Sequence, residues 1–389
     1  MAKRKTKCGV YNMGWRSFED SINTGIAAEK AGHRVQFFTD QMVAYFFREQ
    51  SVPVFGEEPM VPGPLKYKGE YIPTLGCMGL PKGIMGIPNP NIVMPVIAEK
   101  TTDIEFYLGA IDCVRNGPSV LAQTFMTLDH AAQGRAFFAL GGSEMKQISP
   151  YGYSRIGSAK KLEESLIIIR KLFESDGEPV FFEGEYYSMT GGSLPMEPYR
   201  KGKPPRVVVA PGISNEIMGQ YSDGMLTNTK RHPGGYEAFK KDVQSMRDAA
   251  NRAGRDGDKL IVTACPQLLM HDDPKVLRRL ASHPKLTMQT MLTGREKGIM
   301  WREDGFVHPL GDEFGYARKL RPEKMDVDVL KKAVTEVPPE AVMKIGFHAG
   351  SVEEVAAQLK PFCDGGLEYL GLVDYATWAD QSDEMAEEA

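Results

Sequence analysis

Paired cysteines are missing from this sequence. Its five cysteines, which are Cys8, Cys77, Cys113, Cys265 and Cys363, lie far apart and never form a Cys-x-x-Cys pair. The sequence therefore gives no sign of a disulfide framework, and we expect a reducing, cytoplasmic location. The seven histidines show no His-Glu-x-x-His or other metal-ligand spacing, so we expect no metal centre.

A surplus of basic charge and a long apolar run are missing as well. The formal net charge is −4, which leaves no positive surplus to neutralise phosphates and argues against a nucleic-acid partner. No stretch is long and apolar enough to predict a membrane span. The basic start MAKRKTK is followed by CGVYNMGWRSFED instead of an apolar segment, so we expect no signal peptide.

What the sequence contains is a globular composition with alternating strand and helix patterns. Its 389 residues are 42% hydrophobic and 25% charged, which suits a soluble protein with a large core. The pattern begins with a strand at 7–13 and a helix capped by Ser17, with Phe18, Ile22 and Ile26 on one face. The strand VQFFTDQM follows. A strand, a helix and a strand in this spacing form a βαβ unit.

The same alternation continues along the rest of the chain. Strands are predicted at 105–112, 136–140, 206–210, 224–228, 259–270 and 367–374, with a hairpin around 183–189. Helices are predicted at 91–100, from Pro118, through 162–173, from Ser214, at 235–253, over 275–295 and at 351–363. A count close to eight strands favours an α/β fold with one (β/α)8 TIM barrel over 1–389, rather than a doubly wound sheet.

Two segments interrupt this alternation. The segment 42–91 is rich in Pro, Gly, Met and Tyr and is much longer than an ordinary connection between a strand and a helix. We interpret it either as a lid or pocket wall, or as a dimer arm. The segment 296–324 is predicted to be a second, irregular insertion.

The stretch 134–152, GRAFFALGGSEMKQISPYG, is the most informative part of the sequence. Its apolar run from Ala136 to Leu140 stops at two glycines, which is typical of a strand buried on both faces whose end is closely approached. Ser143 and Glu144 follow, at the strand end where barrel enzymes carry their chemistry. We interpret this end as part of a ligand site; the alternative is an ordinary strand that ends in glycine.

Several stretches together resemble the bacterial-luciferase-like family of flavin- and deazaflavin-dependent oxidoreductases. They are AAEKAGHRVQFFTDQ, LAQTFMTLDHAAQGRAFFALGGSE, PYG, KLEESLIIIRKLFES, FEGEYYSM and RVVVAPGISNEIMGQYSDGMLT, in the family's order. The segments VHPLGDEF and PPEAVMKIGFHAGSVEEVAAQL are similar to the family's F420-dependent ketoreductases of the phthiodiolone type, and F420-dependent glucose-6-phosphate dehydrogenase is similar too. The resemblance implies a luciferase-like (β/α)8 barrel, a cofactor across the C-terminal strand ends and a homodimer.

The resemblance also assigns catalytic residues. Asp40 would touch the deazaflavin, and Gln41 stands where the F420-using branch has a histidine. An amide can donate a hydrogen bond to a substrate oxygen but cannot act as a general base. Glu144 matches the family's acid at the end of the fourth strand; the alternative is a carboxylate that fixes a loop amide. His308 either partly replaces the missing histidine or belongs to loop structure.

Backbone groups at three strand ends would hold the cofactor according to the same resemblance. The family's non-prolyl cis peptide, which presses against the cofactor ring, would join Ile111 to Asp112. The phosphate would be bound by N–H groups at a helix start. The residues that match this phosphate site are Gly142 and Ser143 after the fourth strand, and Ala210, Pro211, Gly212, Ile213 and Ser214 after the fifth.

Three residues are predicted to contact substrate. Trp15 would form part of the pocket floor or wall. By the same resemblance, Lys230 lies near the position of a lysine that binds an anionic substrate group in the sugar-phosphate enzymes; the alternative is a solvated lysine. Tyr45 belongs to the segment 42–91, whose methionines and aromatic residues suit a bulky apolar small-molecule substrate.

Three functions follow from this sequence. The first is an F420-dependent oxidoreductase that moves a hydride between C5 of the deazaflavin and an alcohol or ketone carbon, with a separate F420 or flavin reductase as a partner. The second is an FMN-dependent monooxygenase that uses reduced flavin and O2, an alternative that Gln41 keeps open. The third and minor alternative is a flavin-binding barrel without catalysis.

Overall fold

The structure, a computed structural model, describes residues 5–12, 17–42, 87–230 and 235–380, with short pieces at 53–54, 66–67 and 70–71. Trp15, Tyr45 and most of the segment 42–91 therefore lie outside the described residues. The strands are β1 (Lys7–Asn12), β2 (Val35–Phe38), β3 (Lys66–Tyr67), β4 (Glu70–Tyr71), β5 (Glu105–Asp112), β6 (Ala136–Gly141), β7 (Val180–Glu183), β8 (Ser188–Gly192), β9 (Arg206–Val209), β10 (Gly224–Thr227), β11 (Ile261–Ala264), β12 (Gln267–Met270), β13 (His348–Gly350) and β14 (Tyr369–Asp374).

Helices alternate with these strands. They are α1 (Phe18–Lys30), α2 (Pro90–Glu99), α3 (Pro118–Ala131), α4 (Met145–Ile148), α5 (Ser158–Glu174), α6 (Asn215–Tyr221), α7 (Gly235–Arg252), α8 (Pro274–Ala281), α9 (Pro284–Thr293), α10 (Tyr316–Lys319), α11 (Val327–Thr335), α12 (Pro339–Ala341), α13 (Val352–Asp364) and α14 (Ala376–Ala379). Within the described ranges, no helix has the length and apolarity needed to cross a membrane.

Eight parallel strands close into a barrel. Their order is β1-β2-β5-β6-β9-β10-β11-β14, and β14 pairs again with β1 through Lys7↔Tyr369 and its neighbours. After β11 the chain continues as β12, which pairs with β14 and with β13. The structure thus confirms the predicted (β/α)8 barrel. All eight strands point the same way, so their C-terminal ends meet at one mouth.

Aromatic rings fill the barrel interior. Successive residues of a strand face opposite sides, so Tyr107 and Phe137 point inwards while Phe106 and Phe138 pack against the helices. The ring centroids of Tyr107 and Phe137 are 5.1 Å apart, and those of Phe137 and Tyr369 are 4.8 Å apart. The interior is therefore a packed core, and a ligand has to bind outside it.

The first residues of four strands close the N-terminal end of the barrel. Glu105 accepts from Arg206 Nη2 at 3.1 Å and from Lys7. The phenol of Tyr369 lies 3.0 Å from Arg206 Nη1, and the Arg206 guanidinium stacks over Phe137 at 4.7 Å from the ring centroid. With this end filled by an ion cluster, the C-terminal mouth is left for chemistry.

The predicted elements agree with most of the observed ones. The strand predicted at 105–112 has the same bounds, and the helix predicted from Ser214 begins at Asn215 with the Ser214 side chain as its N-cap. The strand predicted at 259–270 was wrong in its continuity, because Cys265 and Pro266 separate β11 from β12 and proline has no N–H for a ladder. The helix predicted over 275–295 is two helices, divided at Ser282 and His283.

A buried carboxylate fixes the hairpin β7–β8 to the barrel. Glu164 in α5 is 1% exposed and accepts from three successive backbone N–H groups, those of Glu185 at 2.7 Å and of Tyr186 and Tyr187 at 3.0 Å. The Tyr187 phenol in turn donates to the Cys113 carbonyl at 3.2 Å, beside the end of β5. Glu164 therefore supports the mouth of the barrel through this hairpin.

Replacing Glu164 with alanine should destabilise the protein strongly. Three backbone donors would lose their acceptor, so we expect the free energy of unfolding to fall by roughly 2–4 kcal/mol. Urea denaturation measures it. The neighbouring Glu163, whose partner Lys160 is on the surface, supplies the matched control Glu163→Ala, which should unfold like the wild type. Equal losses in the two variants would contradict the anchoring role of Glu164.

Candidate active site

Asp112, the last residue of β5, organises the ends of three strands. Its carboxylate is nearly buried and accepts from Arg115 Nε at 3.0 Å, from the Val114 N–H at 2.7 Å and from the Ser143 hydroxyl after β6. Arg115 Nη2 also donates to Asp40 Oδ2 after β2 at 2.9 Å. One guanidinium fork thus ties two carboxylates together, which is the geometry that arginine provides and lysine does not.

The electrostatics of this fork favour a permanently charged Arg115. Burial alone would lower its pKa, but the carboxylates of Asp40 and Asp112 outweigh burial and leave the pKa of Arg115 raised. The Asp112 N–H adds a bond to Asp40 Oδ2 at 3.2 Å. The spacing between the ends of β2 and β5 is therefore set by a charged, hydrogen-bonded cluster.

A second polar group lies beside the first, around a buried lysine. Lys146 in α4 is 0% exposed. Its Nζ donates to Gln41 Oε1 at 2.9 Å and lies 3.5 Å from Glu144 Oε2. Tyr316, from the insertion after α9, donates to Glu144 Oε2 at 3.1 Å. Gln41 and Glu144, both predicted as site residues, are therefore brought together, with two partners that the sequence analysis missed.

The charge states of this group follow from its burial. Burial lowers the pKa of Lys146 to about 8, and the nearby Glu144 opposes that shift. The Tyr316 ring lies 5.5 Å from the ammonium and supplies a cation–π contact. Glu144 itself is about a third exposed, with 33% of its side chain accessible. It can therefore contact both the buried lysine and a ligand or solvent at the mouth.

Glycines, and backbone N–H groups that are unpaired within the described residues, follow β6 and β9, where the cofactor phosphate was predicted to bind. Gly212 has a φ of 145°, and Cβ atoms built on Gly142 and Gly212 would lie 3.7 Å and 4.0 Å from the same methyl group of Leu162. Both glycines therefore border Leu162, and a Cβ on Gly142 would also lie 3.4 Å from the Ser158 carbonyl oxygen. Within the described part of the chain, the N–H groups of Gly212, Ile213 and Ser214 have no protein acceptor, so this turn fits an anion.

Ser143 has an unusual backbone at the same place. Its φ of 75° is in the left-handed region that non-glycine residues rarely adopt. Arg155 Nε donates to the Ser143 carbonyl at 3.1 Å, and the Ser143 hydroxyl bonds to Asp112. Two contacts thus hold this conformation, as is common for residues at ligand sites.

The cis peptide lies elsewhere than predicted. It joins Gly109 to Ala110, so the assignment to Ile111 and Asp112 was wrong by two residues. The pairing of β5 with β6 shifts in register between Leu108 and Ile111. A Cβ on Gly109 would come within 2.4 Å of the Cβ of Ala139. Glycine is therefore required at this close approach of the two strands, and the register shift has no signature in the residue pattern.

His308 lies in the framework of the insertion. Its Nε2 is 2.8 Å from the Met291 carbonyl, and its Nδ1 accepts the Leu310 N–H at 3.1 Å. The ring stacks on Phe314 at 4.9 Å and is almost completely buried. Burial lowers its pKa. Both nitrogens bond to the backbone of the loop, which fits the alternative interpretation, and a role of His308 in catalysis stays a prediction.

Lys230 lies apart from the Glu144 and Lys146 group. Its Nζ donates to the Lys344 carbonyl at 3.1 Å, and its own carbonyl accepts from Arg295. Burial, followed by the charge of Arg295, lowers the pKa of Lys230 to about 8. No contact among the described residues joins it to the strand-end groups, so its role toward substrate stays a prediction.

Comparisons with known proteins identify relatives of this chain. The sequence profile of a family described as luciferase-like monooxygenase matches residues 75–369. The phthiodiolone/phenolphthiodiolone dimycocerosates ketoreductase of Mycobacterium kansasii is 30% identical over 265 residues, which are 68% of this chain and 70% of that protein.

Two solved structures share the fold. An F420-dependent secondary alcohol dehydrogenase in complex with an F420–acetone adduct superposes with a TM-score of 0.65, at 16% identity and over 99% of this chain and 98% of the other. The oxygenating constituent of 3,6-diketocamphane monooxygenase from Pseudomonas putida, in complex with FMN, has a TM-score of 0.54, at 18% identity and over 100% and 98% of the two chains.

Removing the Arg115 fork should destabilise the protein. In Arg115→Met two neighbouring carboxylates would lose their shared cation, and we expect the free energy of unfolding to fall by roughly 3 kcal/mol. Arg115→Lys keeps the charge but not the fork, so its loss should be smaller. The exposed pair of Arg278 with Glu340 supplies the control Arg278→Met, which should unfold like the wild type. Chemical denaturation measures all three, and a wild-type value for Arg115→Met would refute the fork's structural role.

Proposed function

Because the chain belongs to the luciferase-like monooxygenase family, we propose that it is an F420-dependent oxidoreductase. It would transfer a hydride between C5 of the deazaflavin and the carbon of an alcohol or ketone. The observation that carries this proposal is the position of Glu144, a partly exposed carboxylate at the barrel mouth beside open backbone on β6 and β9. A hydride transfer to a ketone needs one proton at the substrate oxygen, and Glu144 can exchange it.

The named relative supports the reductive chemistry. The Mycobacterium kansasii protein is called a ketoreductase, and its match spans about two thirds of this chain. Reduction of a ketone requires a hydride donor and a proton-exchanging group, and it requires no oxygen. The barrel mouth offers a carboxylate with an ammonium and a phenol beside it, which suits this requirement.

The residues that would hold the cofactor are those at the strand ends. The N–H groups of the turn 212–214 would bind the phosphate, together with Gly142 and Ser143, because they have no protein acceptor within the described residues. Asp40 and the Gly109–Ala110 peptide would lie against the ring. When bound, F420 supplies a hydride at C5, which is the chemistry that the side chains lack.

Glu144 would handle the proton of the substrate oxygen. It would take that proton in the direction of alcohol oxidation and return it in the direction of ketone reduction. Its partial exposure connects it to solvent, and the ammonium of Lys146 and the phenol of Tyr316 fix its orientation. A residue that is oriented in this way needs no reorganisation during the reaction.

We infer that the protein acts as a homodimer in the cytoplasm. Large apolar side chains are exposed on three successive helices, namely Phe18 on α1, Ile92 on α2 and Val120 on α3. A contiguous apolar patch formed by these side chains would suit an interface. The bulky apolar substrate and the separate reductase stay predictions, since Tyr45 and its neighbours lie outside the described residues.

One observation favours a second candidate, an FMN-dependent monooxygenase. Gln41 occupies the position of the histidine in F420-using relatives, and its amide cannot accept a proton as a base. Oxygen dependence separates the two functions. We expect the oxidation of reduced F420 with a panel of ketones to run at the same rate in air and under argon. A requirement for O2, with reduced FMN as the effective cofactor, would establish the monooxygenase instead.

Replacing Glu144 with glutamine should slow turnover and spare cofactor binding. The amide keeps the shape of the side chain but cannot exchange the proton, so kcat should fall by roughly 10²–10⁴-fold. The Kd for F420 should stay within about twofold of the wild type. Glu336, at the surface end of α11 beside Lys332, supplies the control Glu336→Gln, which should retain full activity. A wild-type kcat for Glu144→Gln would remove Glu144 from the mechanism.

A further inference from the structure

Lys146 carries a positive charge in a place where water does not reach. Its side chain is fully buried beneath the strand ends, in the short helix α4. An ammonium in such a place is costly unless other groups compensate it. Gln41, Glu144 and the Tyr316 ring provide that compensation. A methionine of the same length would fill the space without this cost, so the charge itself calls for an explanation.

The lysine determines which end of the Gln41 amide faces the barrel mouth. An ammonium has donors and no acceptor, so it can bond only to the amide oxygen. Lys146 Nζ lies 2.9 Å from Gln41 Oε1, and this contact turns Nε2 to the opposite side. Gln41 is partly exposed, and no acceptor for its Nε2 is found among the described residues. Gln41 Nε2 is therefore the amide group that can donate to a ligand at the mouth.

We propose that Lys146 is a positioning residue that holds the Gln41 carboxamide with its N–H2 group toward the substrate oxygen, so that Gln41 stabilises the negative charge that develops there. This inference rests on the proposed hydride transfer to a ketone and adds a residue for that site. Lys146 does not touch substrate. It acts through Gln41, by fixing the amide and by polarising its N–H bonds from the oxygen side.

The proposed reduction of a ketone balances in atoms and in electrons. F420, when bound in its reduced form, would supply a hydride, which carries two electrons, to the carbonyl carbon of the ketone, and the C=O π bond would break. Its electron pair moves to the oxygen, where the Gln41 N–H donates a hydrogen bond. The oxygen then takes a proton from the carboxyl form of Glu144, and the carboxylate that remains regains a proton from solvent through its exposed part. Preorganised donors at a developing oxyanion lower the barrier to reaction.

A double-mutant cycle tests the coupling of Lys146 to Gln41. Lys146→Met should lower kcat/KM for ketone reduction by at least about tenfold, and Gln41→Leu should cause a similar loss. Added to Gln41→Leu, the lysine change should have a clearly smaller effect than in the wild type, because its route through Gln41 is gone and only its contact with Glu144 remains. Lys146→Gln, which keeps a donor to Gln41 Oε1, should recover part of the activity. A full further loss in the Gln41→Leu background would overturn the proposal.

The melting temperature without cofactor gives a second readout. The buried ammonium faces Glu144, Tyr316, Gln41 and Arg115, and the pKa of Lys146 is lowered to about 8. In the unfolded chain Lys146 has its ordinary, higher pKa and keeps its proton to higher pH. The free energy of unfolding of the wild type therefore rises relative to that of Lys146→Met as the pH rises above 8. Lys146→Met should therefore melt above the wild type at pH 7, with a smaller gap at pH 9. A lower melting temperature at both pH values would mark Lys146 as a structural residue and overturn the proposal.

The variant Gln41→Glu tests the proposal if Lys146→Met does not fold. Gln41→Glu leaves Lys146 in place and strengthens their contact, but it removes the N–H donor. Turnover should then fall at least about tenfold while the protein stays folded, and unchanged turnover would overturn the proposal. A wild-type protein that reduces no ketone with reduced F420 would instead contradict the proposed function. The melting experiment needs no cofactor and so distinguishes the two failures.

Discussion

Closure of the barrel by pairing of β1 with β14 is the constraint on which the rest of the structure depends. Once the eight strands are parallel and closed, their interior must be filled, and Phe37, Tyr107, Phe137 and Tyr369 fill it. The ion cluster around Glu105 covers the N-terminal end. Every polar group that follows a strand is then gathered at the other end. The candidate site lies at the C-terminal mouth because side chains fill the interior and the N-terminal end of the barrel.

The candidate site consists mainly of charged side chains that are buried or only partly exposed at the C-terminal mouth of the barrel. Arg115 joins Asp40 to Asp112, and Lys146 joins Gln41 to Glu144. The first group sets the spacing of the strands, and in our proposal the second orients an amide and a carboxylate toward the ligand space. Buried ion pairs are a poor means of gaining stability. The two groups at the C-terminal mouth are better explained by chemistry, where preorganised dipoles and charges act most strongly.

Much of the fold could be predicted from the sequence, and less of the site. The apolar run at 136–140 and the strand 105–112 follow from periodicity and composition, whereas β13 is only three residues long and has no pattern to detect. Asp40, Asp112 and Ser143 could be predicted as strand-end residues. Tyr316 could not, since it reaches Glu144 from 172 positions away in the chain. Lys146 resembles any surface lysine in sequence, and only its burial beneath α10 and the strand ends distinguishes it.

Equilibrium binding of the purified protein to F420 and, separately, to FMN is the most direct measurement of its function. Quenching of tryptophan fluorescence follows both cofactors on the same sample. An F420-dependent oxidoreductase should bind F420 with a micromolar or lower Kd and bind FMN much more weakly. The reverse order of affinity would contradict the F420-dependent function. Gln41 would then mark a change of cofactor, and the protein would act as an FMN-dependent monooxygenase.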